Sequence, residues 1–317
     1  MKSPQLHALL KTLLKELALA VLLLFGVSLV VFAILYAAPG DPFSVLLEGQ
    51  LPGEQLPSEK MLDGVHGALG VAPSWYGQYL SWLHNLLSGN LGTSVRTGLP
   101  VAGELLHVSL NTLYLTLGSM LVTLFIAVPI AMYASMRGQR VAISWPLTML
   151  GYVFSALPVF WLAYLVIYVS VHGFGVFPLA GSSGSWLVSL VPVLVLGLGS
   201  GTISEVIRHL REEMSRVLNE DYIRTARAKG ASVWRHAFKE GLLLPVSTIF
   251  AAKIPFILGG AVIVEQIFNW PGMGRMAWQA AQDRDFAVIM GISLMAALFV
   301  RLGSLVQRLI QAAVNPH

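Results

Sequence analysis

No cysteine occurs in the 317 residues. A disulfide framework, a thiolate metal site and a cysteine nucleophile are thereby excluded. The redox compartment stays open, because a chain without thiols tolerates either. Charge is the second scarcity: Asp, Glu, Lys and Arg make up 11% of residues against 56% hydrophobic, and mean hydropathy is +0.71. A soluble domain carries roughly a quarter charged residues. A chain this apolar would expose adhesive surface in water, so its natural solvent is lipid. Length alone would allow about two soluble domains, but hydropathy overrides that count. Two catalytic signatures are also missing. Without a Gly-x-x-x-x-Gly-Lys-Ser/Thr loop, this chain has no Walker-type phosphate cradle. Without a His-Glu-x-x-His helix, its eight scattered histidines argue against catalytic zinc.

What is present is a series of long apolar runs. A helix needs about 20 apolar residues to cross the hydrocarbon core. Residues 17–38, 110–134, 147–171, 186–207, 242–268 and 286–312 meet that length. An even count of crossings puts both termini on one side, and the basic residues say which. Lys2, Lys11, Lys15, Arg137, Arg140, Arg301, Arg308 and the many basic residues of 208–239 fall on one side. Only Lys60, Arg96, Arg275 and Arg284 fall on the other, with Lys253 inside a span. The positive-inside rule reads this as cytoplasmic termini. The net charge of +4 therefore reflects topology, and no nucleic-acid partner is expected. The expected architecture is all-α: a polytopic membrane protein with six transmembrane helices. A cleavable signal peptide is the other reading of the N-terminus, but the first apolar run far exceeds the roughly 7–15 residues of a signal h-region.

Two loops carry most of the remaining information. In the external segment, Trp75, Tyr76, Tyr79, Trp82 and Leu83 recur at helical spacing. They suit an amphipathic helix at the outer interface, or a substrate-binding aromatic patch. In the cytoplasmic segment, Asp221-Tyr222-Ile223-Arg224-Thr225-Ala226-Arg227-Ala228-Lys229-Gly230 suits a short surface helix. Asp221 would cap or complement its N-terminus, Lys229 its C-terminus, and Gly230 its stop. An ordinary basic loop fits the same residues. Gly181-Ser182-Ser183-Gly184 matches the Gly-x-Ser-Gly of rhomboid-type intramembrane proteases. No histidine follows in a later apolar span to activate the serine, so a Gly/Ser turn is the better account.

The run Tyr222–Gly230, followed by Arg235-His236-Ala237-Phe238 and Leu243-Leu244-Pro245, resembles the cytoplasmic coupling (EAA) loop of binding-protein-dependent ABC importer permeases of the peptide/nickel class. Further blocks resemble that family in order along residues 20–295. They are Ala38-Pro39-Gly40-Asp41-Pro42, Gly89-Asn90-Leu91-Gly92-Thr93-Ser94, Pro100-Val101, Asn111-Thr112-Leu113, Ser155 through Ala163, Gly259-Gly260-Ala261-Val262 with Glu265, Phe268 through Arg275, and Arg284-Asp285. Arg224-Thr225-Ala226 stands where the broader family often has Glu-Ala-Ala, which resembles the peptide branch. Other departures are Lys239-Glu240-Gly241, Gly70-Val71-Ala72-Pro73, Lys253, Pro255 and the ending Val314-Asn315-Pro316-His317.

The resemblance implies an ABC type I importer permease fold in a bacterial inner membrane. Its organisation would be an N-terminal cytoplasmic segment and first helix (1–38), a periplasmic segment (39–109), a five-helix core (110–312) with the coupling loop at about 208–241, and a cytoplasmic tail (313–317). Implied partners are a second homologous permease subunit, two ATPase subunits holding ATP and Mg, a periplasmic substrate-binding protein and membrane lipid. The chain itself would hold no cofactor and catalyse no reaction. Asp221, Tyr222, Arg224, Ala226, Arg227, Ala228 and Gly230 would dock the ATPase. Peptide is the first expectation for cargo and nickel or a metal chelate the second.

Ionisable groups inside spans are costly and mark function by default. Glu205 and Arg301 lie near enough to the inner interface to snorkel. Lys253 either lines the translocation path, or pairs with another helix or reaches the inner boundary. Glu265 lies about 18 Å from it along a straight helix, so the two cannot meet. Glu265, Pro271, Gly272, Gly274 and Asp285 complete the candidates for the path or external gate. A secondary transporter acting without an ATPase is the competing reading, but it predicts internal repeats and broken midplane helices, and no convincing repeat occurs.

Overall fold

In lipid every backbone polar group must be paired within the chain, so apolar runs of this length become helices. The computed structural model describes residues 3–38, 74–136, 149, 157–175, 186–199, 202–233 and 239–314. Among them the secondary structure is helical, apart from one antiparallel bridge between Thr93 and Pro100. In chain order the helices are α1 (Ser3–Ala37), α2 (Trp75–Leu87), α3 (Val101–Met136), α4 (Val159–Phe174), α5 (Trp186–Leu198), α6 (Thr202–Leu218) and α7 (Asp221–Ala228). A π-helical turn, Lys239–Leu243, then leads into α8 (Leu244–Ile267), followed by α9 (Met273–Gln282) and α10 (Phe286–Val314).

Three described helices are long and apolar enough to cross a membrane, and five spans result if two bent helix pairs each count as one. The remaining expected span, 147–171, is represented by α4, an apolar helix of 16 residues; positions 150–156 lie outside the described residues. Two expectations need correction in detail. Residues 186–207 do not form one helix: α5 stops at Leu198, and α6 starts at Thr202 with a 56° change of direction between the pair. The second span begins at Val101 and not near residue 110, making α3 a helix of 36 residues. The expected fifth span also bends, by 54° beside Pro255. Proline lacks the N–H that would bond to the carbonyl of Ala251 and crowds that carbonyl sterically. The Pro39–Pro42 turn, Gly70–Pro73, Gly181–Gly184, Arg235–Phe238 and Asn315–His317 lie outside the described residues.

The chain divides into two compact units. One comprises residues 1–17, 111–274 and 299–317. Its core joins Leu115 of α3, Val159 and Leu162 of α4, Val195 and Leu196 of α5, Val206 and Leu210 of α6, and Val264 and Phe268 of α8. Glycines set the closest approach. A Cβ on Gly197 would lie 2.7 Å from the Ser119 carbonyl oxygen, and Thr123 donates to the Gly197 carbonyl at 2.8 Å. Small residues and interhelical hydrogen bonds are the normal means of helix association where lipid removes the hydrophobic drive. Near the chain ends, buried Glu16 of α1 pairs with Arg301 at 2.8 Å and Arg308 at 3.0 Å on α10. The expected snorkelling arginine is thus a staple between the first and last helices.

The other unit comprises residues 18–110 and 275–298. Here α2 forms as its aromatic spacing predicts, with Ser74 as N-cap accepting from Gly77 N. Its Tyr79 is buried, meets Phe32 edge-on at 5.3 Å, and shares a 2.9 Å hydrogen bond with the Ser28 hydroxyl. The aromatic spacing therefore seats α2 on α1.

Candidate coupling helix and external-gate cluster

Residues 221–230 fold as the short helix foreseen. Only Ile223 and Ala226 of α7 are buried, and Ile223 packs on Met214 and Val217 of α6. The opposite face presents Tyr222, Arg224, Arg227 and Ala228. Glu220, and not Asp221, takes the N-cap position, and it makes no side-chain cap. Asp221 instead sits in the first turn, where its charge complements the helix dipole, and pairs with Arg224 at 3.3 Å. The stop is a Schellman motif: Ala231 N bonds to the Ala226 carbonyl at 2.9 Å and Gly230 N to the Arg227 carbonyl at 3.0 Å. Gly230 has φ +68, a left-handed conformation that costs a β-branched residue about 1–2 kcal/mol. Gly230→Val should therefore fray α7 while leaving the apolar core intact, read as unchanged expression with a proteolytic cut appearing near residue 230.

Just beyond, Gly241 in the π-helical turn is buried against α6, where a Cβ would lie 3.0 Å from Met214 Sδ. The departure at Gly241 thus permits a close approach to α6 near the contact of α7.

The external candidates separate into distinct places. At the end of α8, Trp270 N bonds to the Glu265 carbonyl at 2.8 Å, and Asn269 takes φ +54. This is again a Schellman stop, with asparagine in the left-handed position. The returning turn Trp270-Pro271-Gly272-Met273-Gly274 wraps the Glu265 side chain, which is 0% exposed. A Cβ on Gly272 would collide with the Glu265 carboxyl group, and one on Gly274 would lie 2.7 Å from Val262 Cα. Both positions are filled by their neighbours, so only glycine fits.

The residues that close this cluster come from α3 and carry no charge to flag them. Thr112 Oγ1 donates to Glu265 Oε1 at 2.7 Å and accepts from Met273 N at 2.7 Å. Asn111 donates through Nδ2 to the Pro271 carbonyl at 2.8 Å, and its own carbonyl accepts from Trp270 Nε1 at 3.2 Å. Trp270 also stacks on Tyr114, ring centroids 5.9 Å apart.

Asp285 works elsewhere. Its Oδ1 accepts from Val288 N at 3.2 Å, capping α10, while Oδ2 accepts from Ser94 Oγ at 2.6 Å and Val95 N at 2.8 Å. The Gly89–Ser94 block and the Arg284-Asp285 pair, far apart in sequence, form one clamp. Gly92, at φ +87, would bring a Cβ to 3.3 Å from Ala287 Cβ. Ser94→Ala removes a buried bond to a carboxylate and should cost about 1.5 kcal/mol, measurable as a lowered Tm in detergent.

Lys253 belongs to neither place. It pairs with Glu205 of α6, which also lies 3.8 Å from His209. The ion pair joins α6 to α8 two residues before Pro255, so the partner on another helix is the reading that the geometry matches.

Residues 127–317 match the family model described as binding-protein-dependent transport system inner membrane component, and residues 9–127 match its N-terminal counterpart. The chain belongs to this family. The permease is 36% identical over 306 residues to the oligopeptide transport system permease protein AppB of Bacillus subtilis (strain 168), covering 93% of this chain and 95% of the relative. It is 33% identical over 299 residues to the glutathione transport system permease protein GsiC of Escherichia coli (strain K12), covering 92% and 94%. The permease is accordingly a multi-pass inner-membrane transport subunit and not an enzyme.

Proposed function

We propose that this permease forms half of the translocation path of an ATP-driven importer for short peptides, delivered by a periplasmic binding protein. It pairs with a second homologous permease subunit and docks two ATPase subunits, which bind ATP and Mg. Both termini lie in the cytoplasm and six helices cross the membrane. The observation that carries the reading is α7. It buries Ile223 and Ala226, ends in a glycine stop, and offers its basic outer face to solvent. Such a helix is a rigid peg suited to a groove in a partner. Force on the peg passes to α6 through the Ile223 contact with Met214 and Val217, and from α6 to α8 through Glu205 and Lys253. Peptide cargo is supported by the two relatives, whose names assign them oligopeptide and glutathione transport. Glu265, Pro271, Gly272 and Gly274 act in this reading as the rigid external end of the path, and Asp285 as the clamp fixing the start of α10.

The test is co-purification in mild detergent with ATPase subunits whose hydrolysis responds to loaded binding protein. Gly230→Val should abolish that response while the assembly survives. Purification of the chain alone, moving solute down an ion gradient without ATP, would favour the secondary transporter instead.

A further inference from the structure

We infer that the exposed face of α4 bearing Trp161, Tyr164, Tyr168 and His172 lines the water-filled path and contacts the passing solute. The inference rests on the import reading and adds the surface that meets the cargo. Val159, Leu162 and Ala163 turn α4's opposite face into the core, with Val166 and Ile167 packed beside them. At 100° per residue, Trp161, Tyr168 and His172 fall almost in line and Tyr164 lies just beside them. Trp161 is 49% exposed and both tyrosines 61%. The Tyr168 and His172 rings stack at 4.3 Å, leaving a continuous aromatic strip.

The composition of this strip differs from the exposed faces of α1 and α3. On α1 the exposed large side chains from Leu14 through Ile34 are aliphatic, with Phe25 the single aromatic. On α3 the exposed large side chains are Leu106, Leu110, Leu117, Leu121 and Phe125, while Tyr114 is stacked on Trp270 and Tyr133 lies near the helix end. Trp and Tyr are comfortable in belts at the two membrane surfaces. The α4 strip is not a belt. It extends over about 16 Å along the helix axis, and Tyr164 sits only five positions into the 16-residue α4. Within the expected span 147–171, Trp161 and Tyr164 lie near the middle, while Tyr168 and His172 lie at its end. Hydroxyl and imidazole groups turned toward hydrocarbon are costly, and polar groups within spans face protein or a watery cavity.

The chemistry also suits a peptide-like solute. No Asp, Glu, Lys or Arg occurs in α4, so cargo of either charge meets no fixed ion that would trap it. Aromatic faces attract an ammonium group, and tyrosine hydroxyls can donate to or accept from amides whatever the side chains. Contacts of this kind are tolerant and individually weak, as passage demands.

Because the natural chain has no cysteine, Tyr164→Cys and Tyr168→Cys each introduce its only thiol. The full assembly, in proteoliposomes, is treated with a charged, membrane-impermeant methanethiosulfonate, and the mass of this chain is followed. Phe125→Cys, at an 83% exposed position of α3, serves as the lipid-facing control. Both tyrosine positions should label at least tenfold faster than the control, and loaded binding protein with ATP should slow them severalfold. Labelling no faster than the control would put the strip against lipid and overturn the inference. So would labelling that occurs only on the chain stripped of its partners, since the strip would then be a subunit interface. ATP-dependent uptake by the cysteine-free parent is measured in parallel. Uptake without labelling removes this inference alone, whereas uptake that needs no ATP removes the import reading itself.

Discussion

Thr112→Val lowers the stability of the permease by about 2–4 kcal/mol, whereas Thr112→Ser stays close to the parent. Valine matches threonine in shape, so the core is neither emptied nor crowded. What disappears is one hydroxyl serving two buried partners, the Glu265 carboxyl group at 2.7 Å and Met273 N at 2.7 Å. Thr112 is 2% exposed and Glu265 0%, so water cannot substitute. Met273 N, left unsatisfied, costs about 1–3 kcal/mol, and the bond lost by Glu265 about 1 kcal/mol more. Serine keeps the oxygen and loses only a methyl. The measurement is the apparent Tm in detergent, with the monodisperse fraction recovered after mild heating. Equal behaviour of valine and serine would mean that the hydroxyl does not hold the turn 270–274, and that the two glycines carry its geometry alone.

The second large effect is an asymmetry. Glu205→Ala should cost about 2–3 kcal/mol, at or below the lower end of the range for breaking a buried ion pair, because water reaches the carboxylate. Lys253→Ala should cost about half as much. The Lys253 side chain is 13% exposed and that of Glu205 40%. Removing the glutamate takes this counter-charge from a largely buried ammonium within a span. Removing the lysine leaves a carboxylate that solvent and nearby His209 can serve. The reversed pair, Glu205→Lys with Lys253→Glu, should recover more than half of the loss in a double-mutant cycle. In the assembled importer, Glu205→Ala should also weaken the response of ATP hydrolysis to loaded binding protein. Equal single-mutant costs would refute the asymmetry, and unaltered coupling would leave the pair a staple of α6 and α8 without a part in transmission.

Some of this was readable in the residues. The apolar runs announced the spans, and the spacing of Trp75, Tyr76, Tyr79 and Trp82 announced α2. Gly230 announced the end of α7, because a helix stop needs a residue that tolerates φ +68. The break between α5 and α6 was not readable, since hydropathy averages over a window longer than the few residues in which the chain turns. Nor was the long start of α3: Ser109 and Glu104 lower local hydropathy without opposing helix. Thr112 belongs to the Asn111-Thr112-Leu113 block, yet its role was not readable, because an uncharged hydroxyl in an apolar helix resembles many that bond only their own backbone, as Ser119 does here.

The sequence by itself determined the solvent, the helical class and the family. These depend on composition and on local runs, where the governing forces act over one to five turns of chain. Only the tertiary structure decided the pairings: Glu265 with Thr112 across 153 positions, Asp285 with Ser94 across 191, and Lys253 with Glu205 across 48. A carboxyl group can state from sequence that it needs donors once buried. Which donors it meets depends on helix packing and crossing geometry, and neighbouring residues along the chain do not encode that.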